Sequence, residues 1–291
     1  MRWLIVVLAA ILTVSPALGE QRERAARKVK AAVAGRASAP ELKSSSALVM
    51  DQAGHTLFAK NIDHVVPIAS ITKLMTAMVV IDAKLPLADH IVISESDKDL
   101  IKGTRSRLRI GTELTRRELL QLALMASENR AAEALSRVFP GGTKAFVAAM
   151  NQKAIELGMW RTRFVDGTGL SSDNVSTAQD LTKMVAAAYH YPLIREFTTD
   201  SGMTVRVGKK GRTTMTYNNS NRLVKNREWQ IGLSKTGYIS EAGRCLVMQA
   251  KIAGKPVIIV LLDSWGKLTR IGDANRIKRW METRAAADNP G

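Results

Sequence analysis

The feature that most constrains the fold is a helical middle bracketed by strand-like segments near both ends of the chain. Near the amino end, residues 47–51 and 56–60 flank a short turn, which predicts a β-hairpin. From residue 203 onward strand-like segments return, and the last two meet at Gly254 and Lys255. This order predicts an α/β protein of the α+β type: an antiparallel sheet built from both ends of the chain and flanked by helices, plus a helical subdomain.

Helix start and stop signals divide the middle of the chain. Thr115 and Glu118 form a capping box, and further helices are expected over residues 129–139, 143–157 and 177–190. A last helix is expected over about residues 267–284. Its apolar residues recur at helical spacing: Leu268, Ile271, Ala274, Ile277 and Met281. This stripe predicts packing against the sheet, and the alternative is a helix lying on a membrane surface.

The first residues have the pattern of a secretory signal peptide. Arg2 precedes an apolar run over residues 3–14, and small residues follow, which places cleavage after Ala17 or Gly19. We therefore expect a periplasmic protein, secreted across the inner membrane. It would carry no transmembrane anchor, and any membrane attachment would be peripheral.

The expected organisation follows from these patterns. It comprises a signal peptide over 1–19, a basic linker over 20–44, a folded catalytic domain over 45–286 and a tail over 287–291. Within the domain, the sheet part is 45–66 and 200–286, and the helical part is 67–199.

Composition excludes several classes of site. The single cysteine, Cys245, rules out an intramolecular disulfide and a Cys-based zinc site, and its apolar neighbours predict a core position. The four histidines are scattered without metal-ligand spacing, so we expect no metal, no cofactor and no histidine base.

The formal net charge of +17 bears on the partners. In a cytosolic protein it would favour nucleic acid, but the predicted export argues against nucleic-acid binding. Outside the cytoplasm the available polyanions are cell-wall polymers and lipid headgroups. The alternative explanation of the charge is simple solubility.

A buried, apolar helix interrupted by Ser70 and Lys73 is the first chemical signal. The two residues are three apart, so their Cβ atoms lie about 5–6 Å from each other on one face. A buried lysine must be paired or lose its proton, and a neutral lysine beside a hydroxyl is a base beside a nucleophile. Pro67 keeps the approach extended and places Ser70 at the helix start. The alternative is a capping serine and a snorkelling lysine.

Two further motifs follow in the chain. Ser127 and Asn129 fall where two helices meet, and Lys235, Thr236 and Gly237 fall on a strand. The ordered set Ser-x-x-Lys, Ser-x-Asn, Lys-Thr-Gly is a known motif set of penicillin-interacting enzymes.

Two competing matches are rejected. Ser172 and Asn174 also fit Ser-x-Asn but lie in a loop with no preceding helix. Ser264 and Lys267 also fit Ser-x-x-Lys but follow Lys235 and break the order.

From residue 45 to the last helix, the sequence resembles the low-molecular-mass penicillin-binding proteins, which are serine DD-peptidases. It is most similar to the D-alanyl-D-alanine endopeptidases, and secondary signatures of the family recur over residues 68–76 and 237–244. The resemblance implies a β-lactamase/DD-peptidase-like fold. It implies cleavage of D-Ala–meso-diaminopimelate cross-links in peptidoglycan and acylation by penicillin, so the partners are peptidoglycan peptide stems and β-lactam antibiotics as covalent inhibitors.

The resemblance also implies roles for the catalytic residues. Ser70 attacks the carbonyl of a D-Ala peptide bond, Lys73 takes its proton, and Ser127 relays a proton to the leaving amine. The like charge of Lys235 would help to keep Lys73 neutral.

On the binding side, Asn129 is expected to hydrogen-bond the substrate backbone. Lys235 and Thr236 bind the substrate carboxylate, and Gly237 lets the substrate lie close to the strand. The N–H groups of Ser70 and Tyr238 form the oxyanion hole. Arg244 is either a second carboxylate contact or an exposed strand residue.

Three alternatives remain at this point: a D-alanyl-D-alanine carboxypeptidase, a β-lactamase and a non-catalytic cell-wall binding protein. A class A β-lactamase needs a glutamate in an E-x-x-L-N pattern after the helical subdomain. Here residues 166–170 offer an acid, Asp166, without that pattern, and Asp166 is interpreted as a turn residue. We therefore expect slow β-lactam deacylation. The stretch after Gly237 accommodates two strands and one helix, which favours the shorter endopeptidase type over the carboxypeptidases.

Overall fold

The computed structural model describes residues 38–208 and 211–288. The predicted signal peptide, the linker up to residue 37 and the last three residues of the predicted tail lie outside these ranges. The strands are β1 (Ser44–Asp51), β2 (Thr56–Lys60), β3 (Val66–Pro67), β4 (His90–Val92), β5 (Glu113–Thr115), β6 (Val175–Ser176), β7 (Gly202–Val207), β8 (Thr213–Asn218), β9 (Gln230–Ile239), β10 (Gly243–Ile252) and β11 (Lys255–Ser264). The helices are α1 (Lys73–Asp82), α2 (Arg116–Met125), α3 (Asn129–Arg137), α4 (Gly142–Glu156), α5 (Ala178–Tyr189), α6 (Pro192–Thr199) and α7 (Thr269–Asp288).

A five-stranded antiparallel sheet in the order β2-β1-β11-β10-β9 forms the centre of the fold. Strands from both ends of the chain meet in it, because β1 pairs with β11 with Ser44 opposite Ser264. The α+β prediction is therefore confirmed. β9, which carries Lys235, is an edge strand of this sheet.

Helices cover both faces of the sheet. On one face α7 buries Ala274 and Ile277 in a cluster with residues of β1, β10 and β11, so its predicted packing against the sheet is confirmed. The buried carboxylate of Asp273 also accepts hydrogen bonds from the N–H and Oγ of Ser44. The opposite face packs on the helical subdomain, where Cys245 lies in the core as predicted.

The helical subdomain follows the sequence signals closely. Thr115 Oγ1 accepts from the N–H of Glu118 and the Glu118 carboxylate accepts from the N–H of Thr115, which completes the expected capping box. Helix α4 ends before Gly158, whose φ of 68° lies in the left-handed region that glycine tolerates. The segment beginning at Pro192 forms the additional helix α6, which the sequence analysis did not separate.

Strands β7 and β8 form a two-stranded ribbon of their own. The ribbon lies along the loop that precedes β5: the N–H of Gly208 donates to Thr112 Oγ1 at 2.8 Å, and Arg107 Nη1 donates to the carbonyl of Thr216 at 3.2 Å. Among the residues that the structure describes, no helix combines the length and hydrophobicity needed to cross a bilayer.

Candidate active site

Ser70 lies in a 3₁₀ turn over Ala69–Thr72, immediately before α1. The turn is strained, because Ala69 has a φ of 48°. Thr72 Oγ1 donates to the carbonyl of Ala69 at 2.8 Å, which stabilises this conformation. The expected position at a helix start is confirmed, with a tighter first turn than an α-helix gives.

Two glycines allow neighbouring backbone to approach the nucleophile. A Cβ on Gly169 would lie 2.0 Å from the carbonyl oxygen of Ala69, and one on Gly237 would lie 3.1 Å from the Ser70 nitrogen. At Gly237 it is the Ser70 turn that approaches the strand, and the close approach of substrate to this glycine stays a prediction. Gly169 is a second glycine requirement that the sequence analysis missed.

Lys73 is fully buried and contacts Ser70 directly. Its Nζ lies 2.8 Å from Ser70 Oγ, 2.8 Å from Asn129 Oδ1 and 2.6 Å from the carbonyl oxygen of Thr168. Asn129 Oδ1 and the Thr168 carbonyl can only accept hydrogen bonds. In a neutral Lys73 they would hold the two remaining N–H groups and leave the lone pair facing Ser70 Oγ.

The electrostatic surroundings of Lys73 favour loss of its proton near neutrality. Burial lowers the pKa of Lys73 to about 8, against the opposing effect of the carboxylates of Asp166, Glu128 and Asp99. The sequence analysis expected burial to favour the neutral lysine, with help from the like charge of Lys235, and burial is the main cause of the lowered pKa. The repulsion between the two lysines affects Lys235. Its pKa is held well below its usual value by burial, by Lys73 and by Arg270.

Ser127 lies in the turn between α2 and α3, with a φ of 60°. Lys235 Nζ donates to its Oγ at 2.8 Å and to the carbonyl of Thr236 at 3.0 Å. Ser127 thus contacts the second buried lysine of the site. The structure brings together Ser70, Lys73 and Asn129 in one hydrogen-bonded group and Ser127 and Lys235 in another.

The remaining predicted residues follow Lys235 along β9. Thr236 is buried and its Oγ1 donates to Ser220 Oγ at 2.7 Å. Tyr238 is 56% exposed, and the guanidinium of Arg244 stacks over its ring at 4.3 Å. Because β9 is an edge strand next to the Ser70 turn, its outward backbone groups are available to an extended peptide.

Arg270, on α7, is a half-buried cation that the sequence analysis did not single out. Within the described part of the chain, its Nε and Nη1 atoms have no hydrogen-bond partner. It lies close enough to Lys235 to lower the pKa of that lysine. Buried guanidinium nitrogens without a hydrogen-bond partner cost free energy unless an anion binds them. Arg270 is therefore the stronger candidate for the second carboxylate contact that the sequence analysis considered for Arg244.

The loop carrying the Thr168 carbonyl is fixed by Asp166. The Asp166 carboxylate accepts hydrogen bonds from the N–H groups of Thr168, Gly169 and Ser171, so its interpretation as a turn residue is confirmed. Asn174, from the rejected Ser-x-Asn match, is buried, and its Oδ1 accepts from the N–H of Asp166. Asn174 therefore helps to hold this loop in place and is not among the hydrogen-bond partners of Lys73.

A second loop orients Asn129. Asn129 Nδ2 donates to Thr104 Oγ1 at 3.2 Å, and Thr104 Oγ1 donates to the carboxylate of Asp99 at 2.6 Å. An ion pair between Lys102 and Glu241 ties the same loop to the turn after β9. Because Thr104 gives its proton to Asp99, it must accept from Asn129, and this keeps Asn129 Oδ1 directed at Lys73.

The described residues contain no candidate metal site. Across residues 38–208 and 211–288, no group of three or more histidine, cysteine, aspartate and glutamate side chains is arranged to hold a metal ion.

Comparisons with known proteins agree with this geometry. A family model described as D-alanyl-D-alanine carboxypeptidase, of the peptidase S11 family, matches residues 33–266. The chain is 51% identical over 244 residues to a D-alanyl-D-alanine endopeptidase of Pseudomonas aeruginosa, covering 84% of this chain and 78% of the relative. It is 47% identical over 255 residues to a D-alanyl-D-alanine endopeptidase of Escherichia coli, covering 87% and 82%.

A solved structure shares the fold. The crystal structure of the Streptomyces K15 DD-transpeptidase superposes with a TM-score of 0.77 at 31% identity, covering 84% of this chain and 98% of that chain. The chain belongs to the D-alanyl-D-alanine carboxypeptidase family and is a serine DD-peptidase.

Proposed function

We propose that the protein is an exported, periplasmic endopeptidase that cleaves D-Ala–meso-diaminopimelate cross-links in peptidoglycan through an acyl-enzyme on Ser70. The observation that carries this proposal is the buried Lys73 Nζ at 2.8 Å from Ser70 Oγ. The two curated relatives described above, both named endopeptidases, support the choice of bond. The apolar run at residues 3–14 supports export.

Acylation begins with attack of Ser70 Oγ on the carbonyl carbon of the D-Ala residue in the scissile peptide bond. Neutral Lys73 takes the hydroxyl proton through its lone pair. As the C–N bond breaks, a proton passes to the leaving amine, and Ser127 Oγ, hydrogen-bonded to Lys235 at 2.8 Å, is the group assigned to deliver it. Ser127 regains a proton from the protonated Lys73, which returns that lysine to its neutral form. The acyl group remains on Ser70 until water hydrolyses the ester.

The tetrahedral intermediate requires donors for its oxyanion. We assign the N–H groups of Ser70 and Tyr238 to this role, because Gly237 brings β9 against the Ser70 turn. The substrate peptide would lie along the edge of β9, with Asn129 Nδ2 available to a substrate carbonyl.

Substrate anchoring depends on cations that have no carboxylate partner in the site. Lys235, Thr236 and Arg270 would receive the carboxylate on the far side of the scissile bond. In a cross-link this carboxylate belongs to diaminopimelate, and in an uncrosslinked stem it belongs to the terminal D-Ala. The same residues therefore accept either leaving group, and the carboxypeptidase reaction is the second candidate, consistent with the description of the matching family.

Slow hydrolysis of the penicilloyl-enzyme is expected from the loop beside Ser70. Asp166 accepts hydrogen bonds from three backbone N–H groups of this loop and is committed to holding the turn. It lacks the freedom to activate a water molecule for deacylation. β-Lactams would therefore inhibit the enzyme covalently instead of being destroyed by it.

A time course with fluorescent penicillin, with the adduct mapped by mass spectrometry, tests the site. We expect a label on Ser70 that persists for many minutes, and none on Ser70→Ala. Rapid turnover of the label would indicate a β-lactamase, and no label on folded protein would exclude the proposed site.

Product analysis tests the choice of bond. The mature protein should convert purified cross-linked muropeptide dimers to monomers faster than it trims pentapeptide monomers. The reverse preference would establish a carboxypeptidase, and binding of peptidoglycan without any product would indicate a non-catalytic protein. Amino-terminal sequencing of native protein should begin at residue 18 or 20, as the predicted cleavage sites require.

A further inference from the structure

Two segments of the chain, distant in sequence, contain basic residues and no acidic residue. Residues 100–112 include Arg105, Arg107 and Arg109, and residues 201–227 include Arg206 and Arg212. We call these five arginines the basic face. The first segment contains four Lys or Arg in 13 residues and the second contains seven in 27, against 43 in 291 for the whole chain, so both are richer in basic residues than the chain as a whole.

The fold joins the two segments into one surface. Arg107 Nη1 donates to the Thr216 carbonyl of β8, and its guanidinium stacks over the ring of Tyr217 at 4.5 Å. At the other end of the ribbon, a Cβ on Gly208 would lie 3.9 Å from Arg109 Cδ. The loop before β5 therefore runs along the β7–β8 ribbon, and the arginines of both segments lie on neighbouring surface.

The charges of the basic face are not compensated within the described residues. All five side chains are exposed, and none forms an ion pair with a described carboxylate. Elsewhere on the molecule the arginines at 116, 117, 137 and 276 each pair with an aspartate or glutamate. Clustered like charges repel one another, so an external anion would stabilise this surface.

The basic face continues directly into the catalytic cleft. Thr104, which precedes Arg105, accepts a hydrogen bond from Asn129. At the other end of the ribbon, Ser220 lies two residues after β8 and accepts from Thr236 Oγ1. A partner on the basic face therefore lies beside whatever occupies the cleft. A lipid bilayer on this surface would obstruct the cleft, whereas a polymer that enters the cleft can extend across it.

We propose that the basic face binds the carboxylates of peptide stems next to the stem being cleaved, so that the enzyme holds polymeric peptidoglycan at several points. This inference rests on the proposed function, because it takes the polymer to be the substrate. Guanidinium groups suit the task, since their planar donors match the two oxygens of a carboxylate. Exposed pairs of this kind are individually weak and salt-sensitive, and several together provide binding that releases easily.

The test compares two sets of four substitutions in the inactive Ser70→Ala background. The first set is Arg105→Gln, Arg109→Gln, Arg206→Gln and Arg212→Gln, which leaves Arg107 on Tyr217 to protect the fold. The matched control set neutralises four exposed basic residues on other parts of the surface: Lys84→Gln, Lys251→Gln, Lys255→Gln and Arg279→Gln. Both sets remove the same net charge.

Binding to purified intact sacculi is measured by co-sedimentation between about 50 and 300 mM salt. We expect the basic-face set to lower affinity at least about tenfold at low salt and the control set less than about twofold. Amidation of the sacculus carboxylates should reproduce the loss for the parent protein. Penicillin labelling of the same sets with Ser70 restored reports that the cleft is folded.

Three results would overturn the inference: equal loss in both sets, no loss in either, or unchanged binding to amidated sacculi. Binding of the parent to vesicles containing anionic lipid, lost in the basic-face set while sacculus binding is kept, would assign the surface to a membrane and also overturn it. The assay does not depend on cleavage. Failure of the restored enzyme to cut muropeptide dimers would count against the proposed function alone.

Discussion

Two buried lysines stand on opposite sides of the cleft with similar local geometry and different surroundings. Lys73 is 0% exposed and Lys235 is 1% exposed, and the Nζ of each donates to a serine Oγ at 2.8 Å. Carboxylates influence Lys73 from a distance, whereas Lys235 has Lys73 and Arg270 as its charged neighbours. A lysine–serine hydrogen bond therefore does not by itself define a catalytic base.

The difference suggests a division of labour. Lys73 has a pKa of about 8, which allows it both to take and to return a proton near neutral pH. Lys235 has its pKa held well below the usual lysine value by burial and by a cluster of cations that an anionic substrate would neutralise. Binding of the substrate carboxylate should raise the pKa of Lys235. Lys235 would then become protonated when the substrate occupies the site.

The largest expected effect separates the two serines. Ser70→Ala should lower penicillin acylation and muropeptide cleavage by about 10⁴-fold or more, because the nucleophile is lost. Ser127→Ala should lower them by about 10²–10³-fold, because it removes only a proton relay. Rate measurements on both variants, with circular dichroism as the folding control, check this order. Equal effects would contradict the assignment of Lys73 as the base.

The next prediction concerns Lys73 itself. Lys73→Met should lower the acylation rate by about 10³-fold, because the general base is removed. Lys73→Arg is the matched control: it keeps a positive charge that does not dissociate in this range and should be equally inactive. Full activity in the arginine variant would show that charge alone is required.

The pKa of Lys73 also predicts how stability changes with pH. Its pKa is about 8 in the folded protein and 10.5 in an unfolded chain, so the unfolded state binds more protons between these pH values. Relative to Lys73→Met, the free energy of unfolding of the parent should rise by about 3 kcal/mol from neutral pH to pH 10.5. Urea unfolding at both pH values checks the sign, and a flat difference would contradict the burial of a charge.

The cation cluster around Lys235 gives a smaller effect on binding. Arg270→Gln should raise KM for muropeptides about tenfold with little change in kcat, because a carboxylate contact is lost. The pKa of Lys235 should rise, since one repelling charge has gone. Arg244→Gln is the control and should change KM by less than about twofold. If Arg244→Gln had the larger effect, the carboxylate contact would belong to Arg244.

The smallest effect tests the orientation of Asn129. Thr104→Val removes the acceptor for Asn129 Nδ2 and should lower kcat/KM by about fivefold to tenfold. Thr104→Ser keeps the hydroxyl and should restore the parent rate, which a general loss of loop structure would not. If valine and serine variants behave alike, the hydroxyl has no orienting role.

The sequence predicted the parts of this protein that rest on local patterns. The hairpin at residues 47–60, the capping box at Thr115 and the strand carrying Lys235 are each encoded within a few residues, and each is confirmed. The motif residues could be ordered along the chain because their spacing is short. Their joint position in one cleft followed from a resemblance.

The parts that the sequence did not predict depend on distant contacts. The Thr168 carbonyl accepts a hydrogen bond from Lys73, which lies 95 positions away in the sequence. A backbone acceptor of this kind leaves no side-chain pattern from which it could be predicted. Thr104 meets Asn129 only because its loop folds back over α3. Burial of Lys73 followed from its apolar helix, but the opposing effect of the carboxylates of Asp166, Glu128 and Asp99 on its pKa becomes visible only in the folded structure.

The pairing of β1 with β11 has a consequence for how the enzyme comes into being. Ser44 shares a hydrogen bond with Asp273, 229 positions further along, so the entropy of closing almost the whole chain precedes completion of the sheet. A nascent chain that ends after α6 contains Ser70 and Lys73 but lacks Lys235 and the strand β9. Such a chain cannot acquire a finished cleft. The chain can therefore hydrolyse its substrate only after the carboxyl-terminal strands have been made. Incomplete chains would not cleave peptidoglycan.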